Sequence, residues 1–296
     1  MDRANVTSIR TAPTDRRPYA LGYSEAEFKR LERQGAFLRD LTEDVLRRAG
    51  VRHGMRVLDL GCGVGDVSLL AADLVGPDGA VFGIDRSPDA IATATARAAA
   101  AGRHWARFSV GDIESLCPVE TFDAVIGRLI LMYLPDPATT LRQVSRCLRT
   151  DGIIAFQEMA MPLARSVPEG ALYGRCRDWI VQTFDRAGFE IDMGGKLFAT
   201  FLAAGLPAPE MIAAARVGGG PDAFAYEYIA RTLESLLPMM ARLGVASAAE
   251  IGIDTLAGRL RQEALEQRAS IMSPPMIGAW TRMPKHLNDS ESMDHE

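Results

Sequence analysis

Residues 57–68 read VLDLGCGVGDVS, and this stretch decides the fold class. Its apolar start indicates a buried parallel strand, and its three alternating glycines permit a tight turn with close approach of the backbone. Residues 66–74 continue with a helical pattern. Because the first N–H groups of a helix have no partner within the helix, such a turn points free donors at a ligand. The stretch therefore predicts a nucleotide-type cofactor site.

The spacing of the glycines distinguishes this loop from a dinucleotide-binding loop. Gly61, Gly63 and Gly65 form Gly-x-Gly-x-Gly, whereas a nicotinamide site usually shows Gly-x-Gly-x-x-Gly. Asp59 ends the strand where it would repel a pyrophosphate, and the loop contains no Lys or Arg. Asp85 ends the next strand about twenty residues beyond the loop, where a carboxylate can accept both hydroxyls of a ribose. The pattern predicts a ligand with a ribose and without phosphates.

The acid-x-Gly-x-Gly-x-Gly pattern from Asp59 to Gly65 resembles the first motif of the class I S-adenosylmethionine (SAM)-dependent methyltransferases at every fixed position. The resemblance implies that Gly61, Gly63 and the neighbouring backbone hold the methionine part of SAM. It also implies that Asp59 faces the ammonium group of SAM and that Asp85 binds the ribose.

Two later segments are similar to further motifs of the same family. Asp112 and Ile113 stand where the family binds adenine, and there the carboxylate would accept from the exocyclic amine while Ile113 covers the ring. A later apolar strand resembles the fourth family strand and is followed by Arg128 and Leu129, where the family closes over the cofactor. The similarity covers residues 34–158. The cofactor-binding residues that it implies are Gln34, Asp59, Gly61, Cys62, Gly63, Gly65, Asp85, Arg86, Asp112, Ile113, Arg128 and Leu129.

The composition is that of a soluble enzyme. The chain of 296 residues is 48% hydrophobic and 24% charged and has a formal net charge of −5, which suffices for one large domain. The Arg residues are scattered, and aromatic and basic residues do not alternate as on an RNA-binding face. We therefore expect a small-molecule acceptor and no nucleic-acid partner.

The cysteines and the apolar segments indicate the compartment. The four cysteines form no Cys-x-x-Cys pair, so the sequence supports neither a metal site nor a disulfide framework. The start of the chain has no apolar core of signal-peptide length, and no later segment holds about eighteen uninterrupted apolar residues. We expect a cytoplasmic protein with no membrane partner, for which a homodimer is a candidate assembly.

Strand and helix patterns alternate from Met55 onward, which predicts an α/β fold with a doubly wound sheet. With the family resemblance, this becomes a seven-stranded, mostly parallel, Rossmann-like methyltransferase fold with amino-terminal helices and a helical lid inserted before the last, antiparallel strand. The expected divisions of the chain are disordered tails at 1–18 and 286–296, a methyltransferase domain at 19–285 with its core at 50–160, and lid and substrate-side helices at 165–205 and 220–270.

Individual elements follow from periodicity and from cap and turn residues. One helix opens at a capping box that begins with Ser24, and a second ends at Ala49. The predicted strands are 55–60, 80–84, 106–110, 122–127, 152–157, 210–217 and 275–283. The other predicted helices are 66–74, 88–101, 138–148, 172–187, 197–204, 222–243 with a break near Pro238, and one capped by Asp254 that ends at 267.

The acceptor side and the chemistry carry weaker signals. No histidine stands at the carboxyl end of a predicted strand, which disfavours a histidine base. Glu158 follows the fifth strand and is the candidate catalytic acid or base, although a carboxylate there can equally orient the substrate or pair with Arg128. Packing against the core is the alternative interpretation of every candidate acceptor contact. These candidates are Tyr23, Met159, Tyr226 and Tyr228.

The function predicted from these residues is methyl transfer from SAM to an O, C or N atom of a small molecule, such as a secondary metabolite or a quinone-like compound, with S-adenosylhomocysteine as product. Alignment and desolvation supply about 7 to 11 kcal/mol in favourable intramolecular cases, so a dedicated base is optional. Three alternatives stay open: a protein that keeps bound SAM for a non-methylating cyclisation, a non-enzymatic SAM-binding partner and, more remotely, a nicotinamide dehydrogenase.

Overall fold

Ten strands occur in the computed structural model, which describes residues 25–116 and 121–284. In chain order they are β1 Arg56–Leu60, β2 Ala80–Asp85, β3 Ala106–Val110, β4 Phe122–Arg128, β5 Leu148–Met159, β6 Arg165–Val167, β7 Glu210–Ala214, β8 Val217–Gly219, β9 Ser270–Met272 and β10 Met276–Arg282. Seven of them form the main sheet in the order β3-β2-β1-β4-β5-β10-β7. The short strands form a second sheet in the order β6-β9-β8.

The helices lie between and around these strands. They are α1 Glu25–Ala49, α2 Asp66–Val75, α3 Pro88–Ala100, α4 Pro137–Ser145, α5 Ala171–Arg186, α6 Met193–Ala203, α7 Ala225–Leu243, α8 Ala248–Ile251 and α9 Leu256–Gln267. Helices α7, α8 and α9 all fall between β8 and the strand pair β9 and β10, where the sequence predicts an insertion.

The main sheet confirms the doubly wound prediction. β1 pairs in parallel with β2 and with β4, and β4 pairs in parallel with β5. β10 runs antiparallel to both β5 and β7, as the family resemblance implies for the last strand. The chain winds outward from β1 to β3 and then continues from β4 on the other side, so the winding reverses between β1 and β4. Ligands of open α/β sheets bind beyond the carboxyl ends of the strands at such a reversal.

The core occupies both faces of the sheet because the strands are apolar at nearly every position. Val57 and Val81 pack with α2 and the carboxyl end of α1 on one face. Leu58, Val125 and Phe156 pack with α4, α5, α6 and α7 on the other face. All five side chains are buried, so the strand ends that carry the site are held rigidly.

The amino-terminal region is one continuous helix, so the prediction of two helices there is wrong. The helix runs without a break through Gly35, in the middle of this region. A Cβ at Gly35 would overlap the Asp66 carboxylate, which shows that the glycine serves close packing of α1 on the start of α2. The apolar face of α1 continues beyond that point through Leu38 and Val45. Ser24, Tyr23 and the predicted tails lie outside the described residues.

Several other predicted element boundaries differ from the structure, among them the strand predicted at 152–157, which is β5 Leu148–Met159, and the helix predicted at 138–148, which ends at Ser145. The strand expected at 210–217 ends at Ala214, and the residues after it turn into the small sheet as β8. Helix α6 begins earlier than expected because the Asp192 side chain caps it by accepting from the Gly195 N–H. Asp254 lies in a 3-10 turn, and α9 begins after Thr255. Cap and turn residues are interchangeable over short spans, which limits such predictions.

Helix α7 also differs from its prediction, because it runs unbroken through Pro238. The helix is held on both sides of the proline by fully buried Leu236 and Met240. Burial of this apolar face offsets the backbone hydrogen bond that proline removes. The helix ends at Gly244, whose left-handed conformation caps it.

Candidate functional site

A cavity of about 370 Å³ opens beyond the carboxyl ends of β1, β2 and β4. Its two sides differ in chemistry. The side that we call the glycine-loop half is lined by Gly61, Cys62, Gly63, Val64, Asp66, Asp85, Arg86, Ile113 and Arg128. The side that we call the apolar half is lined chiefly by Met132, Tyr133, Met159, Met161, Tyr173, Ile180, Val181, Phe184, Phe189, Phe224, Tyr228 and Ile271.

The glycine loop uses three positive φ angles to bend between β1 and α2. Gly61, Gly63 and Gly65 have φ values of +64°, +52° and +88°, a region that other residues enter at a cost of about 1–2 kcal/mol. A Cβ at Gly61 would meet the Ile130 side chain, whereas a Cβ at Gly63 would meet nothing within 4 Å. Since Gly63 lines the cavity, its backbone is open to a ligand.

Arg97 fastens the same loop from behind. Its Nη1 donates to the Val64 carbonyl oxygen over 2.6 Å, and its Nη2 donates to Asp66 Oδ1 over 2.7 Å. Burial raises the pKa of Asp66, and the positive charge of Arg97 opposes that shift. The loop and the first turn of α2 are therefore tied to α3. The sequence analysis missed Arg97 because it lies 33 residues from its carbonyl partner.

Asp85 presents its carboxylate to the cavity at the end of β2. One oxygen accepts the Gly63 N–H over 2.9 Å, and the other accepts the Ser87 N–H over 2.9 Å. Burial raises the pKa of Asp85, while these backbone donors lower it. Each carboxylate oxygen has a further lone pair, so the pair of oxygens can accept from two neighbouring hydroxyl groups of a ligand.

Asp59 lies behind the loop and does not line the cavity. Its side chain is 1% exposed, and Oδ2 accepts from the Ser68 hydroxyl over 2.5 Å. Burial raises the pKa of Asp59 to about 7, against the hydrogen bond from Ser68. The carboxylate therefore braces β1 against α2 in this structure, a position that differs from the expected one at the ligand's ammonium group.

Arg128 brings a positive charge into the cavity from the end of β4. Its Nη1 donates to the Thr42 hydroxyl over 3.0 Å, and no described carboxylate lies within ion-pair distance of the guanidinium. Burial lowers the pKa of Arg128, and the nearby Asp66 and Asp59 oppose that shift. A partly buried cation without an ion pair is suited to bind an anionic group of a ligand.

Glu158 supports the turn after β4 and does not line the cavity. Its Oε1 accepts the N–H groups of Ile130 and Leu131 over 2.9 and 2.8 Å, while Oε2 has no hydrogen-bond partner among the described residues. Burial raises the pKa of Glu158 to about 7. In this structure Glu158 therefore contacts the backbone of the turn, and it contacts neither the cavity nor Arg128, where a catalytic or pairing role was expected.

Two residues of α7 separate by helical geometry. Tyr226 is 1% exposed and donates to the Gly220 carbonyl oxygen over 2.9 Å. It does not line the cavity, although the sequence analysis names it as a candidate acceptor contact. Tyr228 does line it, since positions two apart in a helix face nearly opposite directions. Met159 lines the apolar half at the end of β5, as expected.

Helices α1 and α7 meet across the mouth of the cavity. Phe37 stacks on Phe224 with 4.3 Å between ring centroids, and both rings contact Tyr228. Gln34 Nε2 donates to the Tyr228 hydroxyl over 2.9 Å. The Arg216 guanidinium lies 5.5 Å from the Phe37 ring centroid. Sequence reasoning missed Phe37 and Arg216, because helix periodicity alone does not show which apolar positions border a cavity.

The chemistry of this cavity agrees with the comparison to known families. Residues 52–188 match a family model described as a methyltransferase domain. That segment, just under half of the chain, is similar to methyltransferase domains. The match begins just before β1 and ends after α5, so it includes the glycine loop, Asp85 and the turn that Glu158 supports.

One curated relative is similar to part of this chain in sequence, and two solved structures share its fold. A demethylmenaquinone methyltransferase of Geobacillus stearothermophilus is 31% identical over 140 residues, which are 46% of this chain and 60% of that protein. A candidate methyltransferase from Bacillus halodurans C-125 shares the fold with a TM-score of 0.55 at 16% identity, over 82% of this chain and 99% of that one. The [4+2]-cyclase SpnF shares the fold with a TM-score of 0.51 at 23% identity, over 83% of this chain and 81% of that one. This chain thus spans less than two thirds of the length of the curated relatives that it matches, with 60% for the Geobacillus stearothermophilus protein and 43% for a nocamycin O-methyltransferase of Saccharothrix syringae.

The fold brings most of the expected cofactor residues to one cavity. Those that line it are Gln34, Gly61, Cys62, Gly63, Asp85, Arg86, Ile113, Arg128 and Leu129. Asp59, Gly65 and Asp112 lie beside the cavity without lining it, and the Asp112 carboxylate accepts the Glu114 N–H. Tyr23 lies outside the described residues. No described helix is long and apolar enough to cross a membrane, and the described residues hold no group of three metal-binding side chains.

Proposed function

We propose that this protein uses SAM to methylate a small, largely apolar acceptor. The observation that carries the proposal is the junction of the two halves of the cavity. On one side an open backbone at Gly63 faces the same space as the Asp85 carboxylate, and on the other side Met132, Met159 and Phe184 form an apolar wall. Such a site offers a polar nucleoside and an apolar molecule adjacent positions.

The residues of the glycine-loop half fit SAM. Any side chain larger than hydrogen at Gly63 would enter the ligand space, and the two oxygens of Asp85 can accept the ribose hydroxyls. Arg128 offers its cation to a carboxylate of the kind that a methionine moiety carries. Ile113 lines the cavity at a position from which it can cover the adenine ring of SAM. When bound, SAM supplies a methyl group on a positively charged sulfur.

The protein contributes to the reaction by orienting the two reactants and by excluding water. The acids that line the cavity, Asp66 and Asp85, belong to the glycine-loop half, and no His lines it among the described residues. The described lining therefore places no carboxylate or imidazole base against the acceptor. Alignment of the two reactants in an apolar space removes entropy and solvent costs before the reaction, and effects of this kind reach about 7–11 kcal/mol in intramolecular models. In this proposal Glu158 is a positioning residue for the turn at 130–133.

The acceptor class rests on the apolar half and on one relative. The wall is made chiefly of Met, Phe, Tyr, Ile and Val side chains, which favour an apolar ring compound over a sugar or a peptide. The Geobacillus stearothermophilus relative is a demethylmenaquinone methyltransferase, which supports a quinone-like acceptor here. We propose residues 19–285 as the catalytic domain.

Calorimetric titration with SAM tests the proposal. We expect Asp85→Ala to weaken SAM binding by about 1–3 kcal/mol, because two hydrogen bonds to the ribose are lost. The matched control is Asp89→Ala, which removes an exposed acid from the first turn of α3. Unchanged affinity in Asp85→Ala, or no heat with the wild-type protein, would contradict the cofactor assignment.

Transfer of labelled methyl groups tests the reaction itself. Wild-type protein is incubated with methyl-labelled SAM and a panel of hydroxylated ring compounds, and the label is followed into the product. Label in a ring compound supports methyl transfer. Conversion of a compound without label would instead identify a cyclase of the kind that SpnF represents, with bound SAM as a structural element.

A further inference from the structure

Tyr228 is held rigidly at the mouth of the cavity. Its ring contacts Phe37 at 5.5 Å and Phe224 at 5.6 Å between centroids, so two aromatic neighbours fix its plane. Its hydroxyl oxygen accepts from Gln34 Nε2 over 2.9 Å. The side chain lines the cavity from α7, the helix that faces the apolar half.

A chain of polar side chains along α1 sets the direction of that hydrogen bond. Glu27 binds Arg30 through two contacts of 2.7 Å, and both side chains are buried. The Arg30 guanidinium faces Gln34 Oε1 over 3.5 Å. Because a guanidinium has donors only, the Gln34 amide must turn its oxygen to Arg30 and its nitrogen to Tyr228.

This direction leaves the Tyr228 proton for a ligand. The hydroxyl oxygen already accepts from Gln34, so its own O–H points elsewhere, and no described residue accepts it. A hydroxyl that accepts a hydrogen bond also becomes a better donor, because the bonds of a chain polarise one another. The donor therefore faces the cavity, and an apolar molecule without an oxygen would leave it unpaired.

We propose that Tyr228 donates a hydrogen bond to an oxygen atom of the acceptor, and that the acceptor is an apolar ring compound with a carbonyl or hydroxyl oxygen. Tyr228 is then the residue that selects oxygenated rings over plain hydrocarbon rings. Glu27, Arg30 and Gln34 are positioning residues that act through it. This inference rests on the proposed function, whose acceptor class it narrows.

Two ring compounds of matched shape test the selection. Binding of 1-tetralone, which carries a ring carbonyl, and of tetralin, which lacks it, is measured by ligand-observed NMR on the full chain saturated with S-adenosylhomocysteine. We expect the wild-type protein to prefer 1-tetralone, and Tyr228→Phe to reduce that preference about fivefold, as for one neutral hydrogen bond. Tyr228→Phe keeps the ring that stacks on Phe37 and Phe224.

Gln34→Glu separates hydrogen-bond direction from packing. The glutamate has the shape of glutamine but accepts from both neighbours, so the Tyr228 hydroxyl must turn to it and away from the cavity. We expect the same fivefold loss of preference as in Tyr228→Phe, with affinity for tetralin unchanged. A merely structural role for Gln34 predicts no change in that ratio. Tyr226→Phe is the matched control, since it loses a tyrosine hydrogen bond on the same helix outside the cavity.

The cofactor titration keeps this inference apart from the proposed function. Binding of S-adenosylhomocysteine to the wild-type protein, with no preference for 1-tetralone, overturns the inference and leaves the proposed function intact. A loss of S-adenosylhomocysteine affinity in Tyr228→Phe with an unchanged ratio for the ring compounds also overturns it, because the hydroxyl then belongs to the cofactor. Thermal melting of each variant establishes that it is folded before titration.

Discussion

The glycine-loop half and the apolar half of the cavity are built in different ways. The first takes its lining mostly from the ends of β1, β2 and β4 and the loops that follow them, and its hydrogen bonds involve backbone groups at Gly63, Val64 and Ser87. The second is assembled by side chains of α1, α5, α7 and the small sheet. Gln34 and Tyr228, which meet at 2.9 Å, are 194 residues apart in sequence. The shape of the glycine-loop half is constrained by the fold, because backbone groups form its hydrogen bonds. The apolar half is formed by side chains, so substitutions can adapt it to a different ligand without changing the fold.

The largest expected effect concerns the support that both halves share. Glu158 holds the turn whose Ile130 packs at Gly61 and whose Met132 lines the apolar half. Because its pKa rises from 4.5 to about 7 on burial, the folded protein holds a proton that the unfolded chain releases. The free energy of unfolding therefore falls as pH rises from about 4.5 to about 7, by roughly 3 kcal/mol for this group. In Glu158→Gln the amide oxygen can replace the carboxylate oxygen as acceptor for the two N–H groups, but the side chain no longer titrates. The variant should therefore lose this part of the pH dependence.

Urea unfolding of Glu158→Gln at pH 5 and pH 8 measures that effect. Some pH dependence should remain, since burial also raises the pKa of Asp59 to about 7. Glu210→Gln changes an exposed acid at the edge strand β7 and is the control. If both variants keep the wild-type difference between the two pH values, Glu158 does not carry a buried proton.

The next prediction distinguishes backbone strain in the glycine loop from steric conflict with the bound ligand. Gly63 and Gly102 both have positive φ values, +52° and +67°, and a Cβ at either meets nothing within 4 Å. Alanine at each position should cost similar strain, about 1–2 kcal/mol of folding stability. Only Gly63→Ala places its methyl group in the cavity, and it should weaken S-adenosylhomocysteine binding by about 2 kcal/mol in calorimetry. Equal cofactor affinity in the two variants would show that Gly63 does not face the ligand.

The smallest effect should be confined to the apolar half. Phe224 is 41% exposed and contacts the rings of Phe37 and Tyr228, so Phe224→Ala removes two aromatic pairs, together worth about 1 kcal/mol at this exposed position. We expect weaker binding of 1-tetralone, measured by ligand-observed NMR, and unchanged binding of S-adenosylhomocysteine. Phe198→Ala, at an exposed phenylalanine on α6, is the control. A parallel loss of cofactor affinity in Phe224→Ala would mean that the two halves are not independent.

The same contrast explains what the sequence predicts well. The order of elements, the parallel sheet and the antiparallel last strand follow from local apolar patterns and from the resemblance, and all three are confirmed. Gly63 follows β1 and Asp85 ends the neighbouring parallel strand β2 of the same β-α-β unit, so their meeting at 2.9 Å is a consequence of that unit. Most of the glycine-loop half could therefore be placed from residue spacing.

The remaining features depend on contacts that spacing does not contain. Tyr226 and Tyr228 differ by two positions, and only packing against α1 decides which one reaches the cavity. Glu158 follows a strand as a catalytic acid would, yet two N–H groups of a nearby turn take its carboxylate. The need for glycine at position 35 of α1 depends on the Asp66 carboxylate that packs against it. In each case a partner distant in sequence determines the role of the residue.

The single helix α1 gives the cavity a shared wall. Its residues Leu31, Gln34 and Phe37 line the cavity, and the Thr42 hydroxyl, 2.8 Å from Gln157 Oε1, anchors the same rod to β5. A displacement of α1 would weaken the contacts around both ligand positions at the same time. By thermodynamic reciprocity, if one ligand steadies α1 and so tightens binding of the other, the second tightens the first by the same factor. Under that condition, one 25-residue helix would couple the binding of the two reactants.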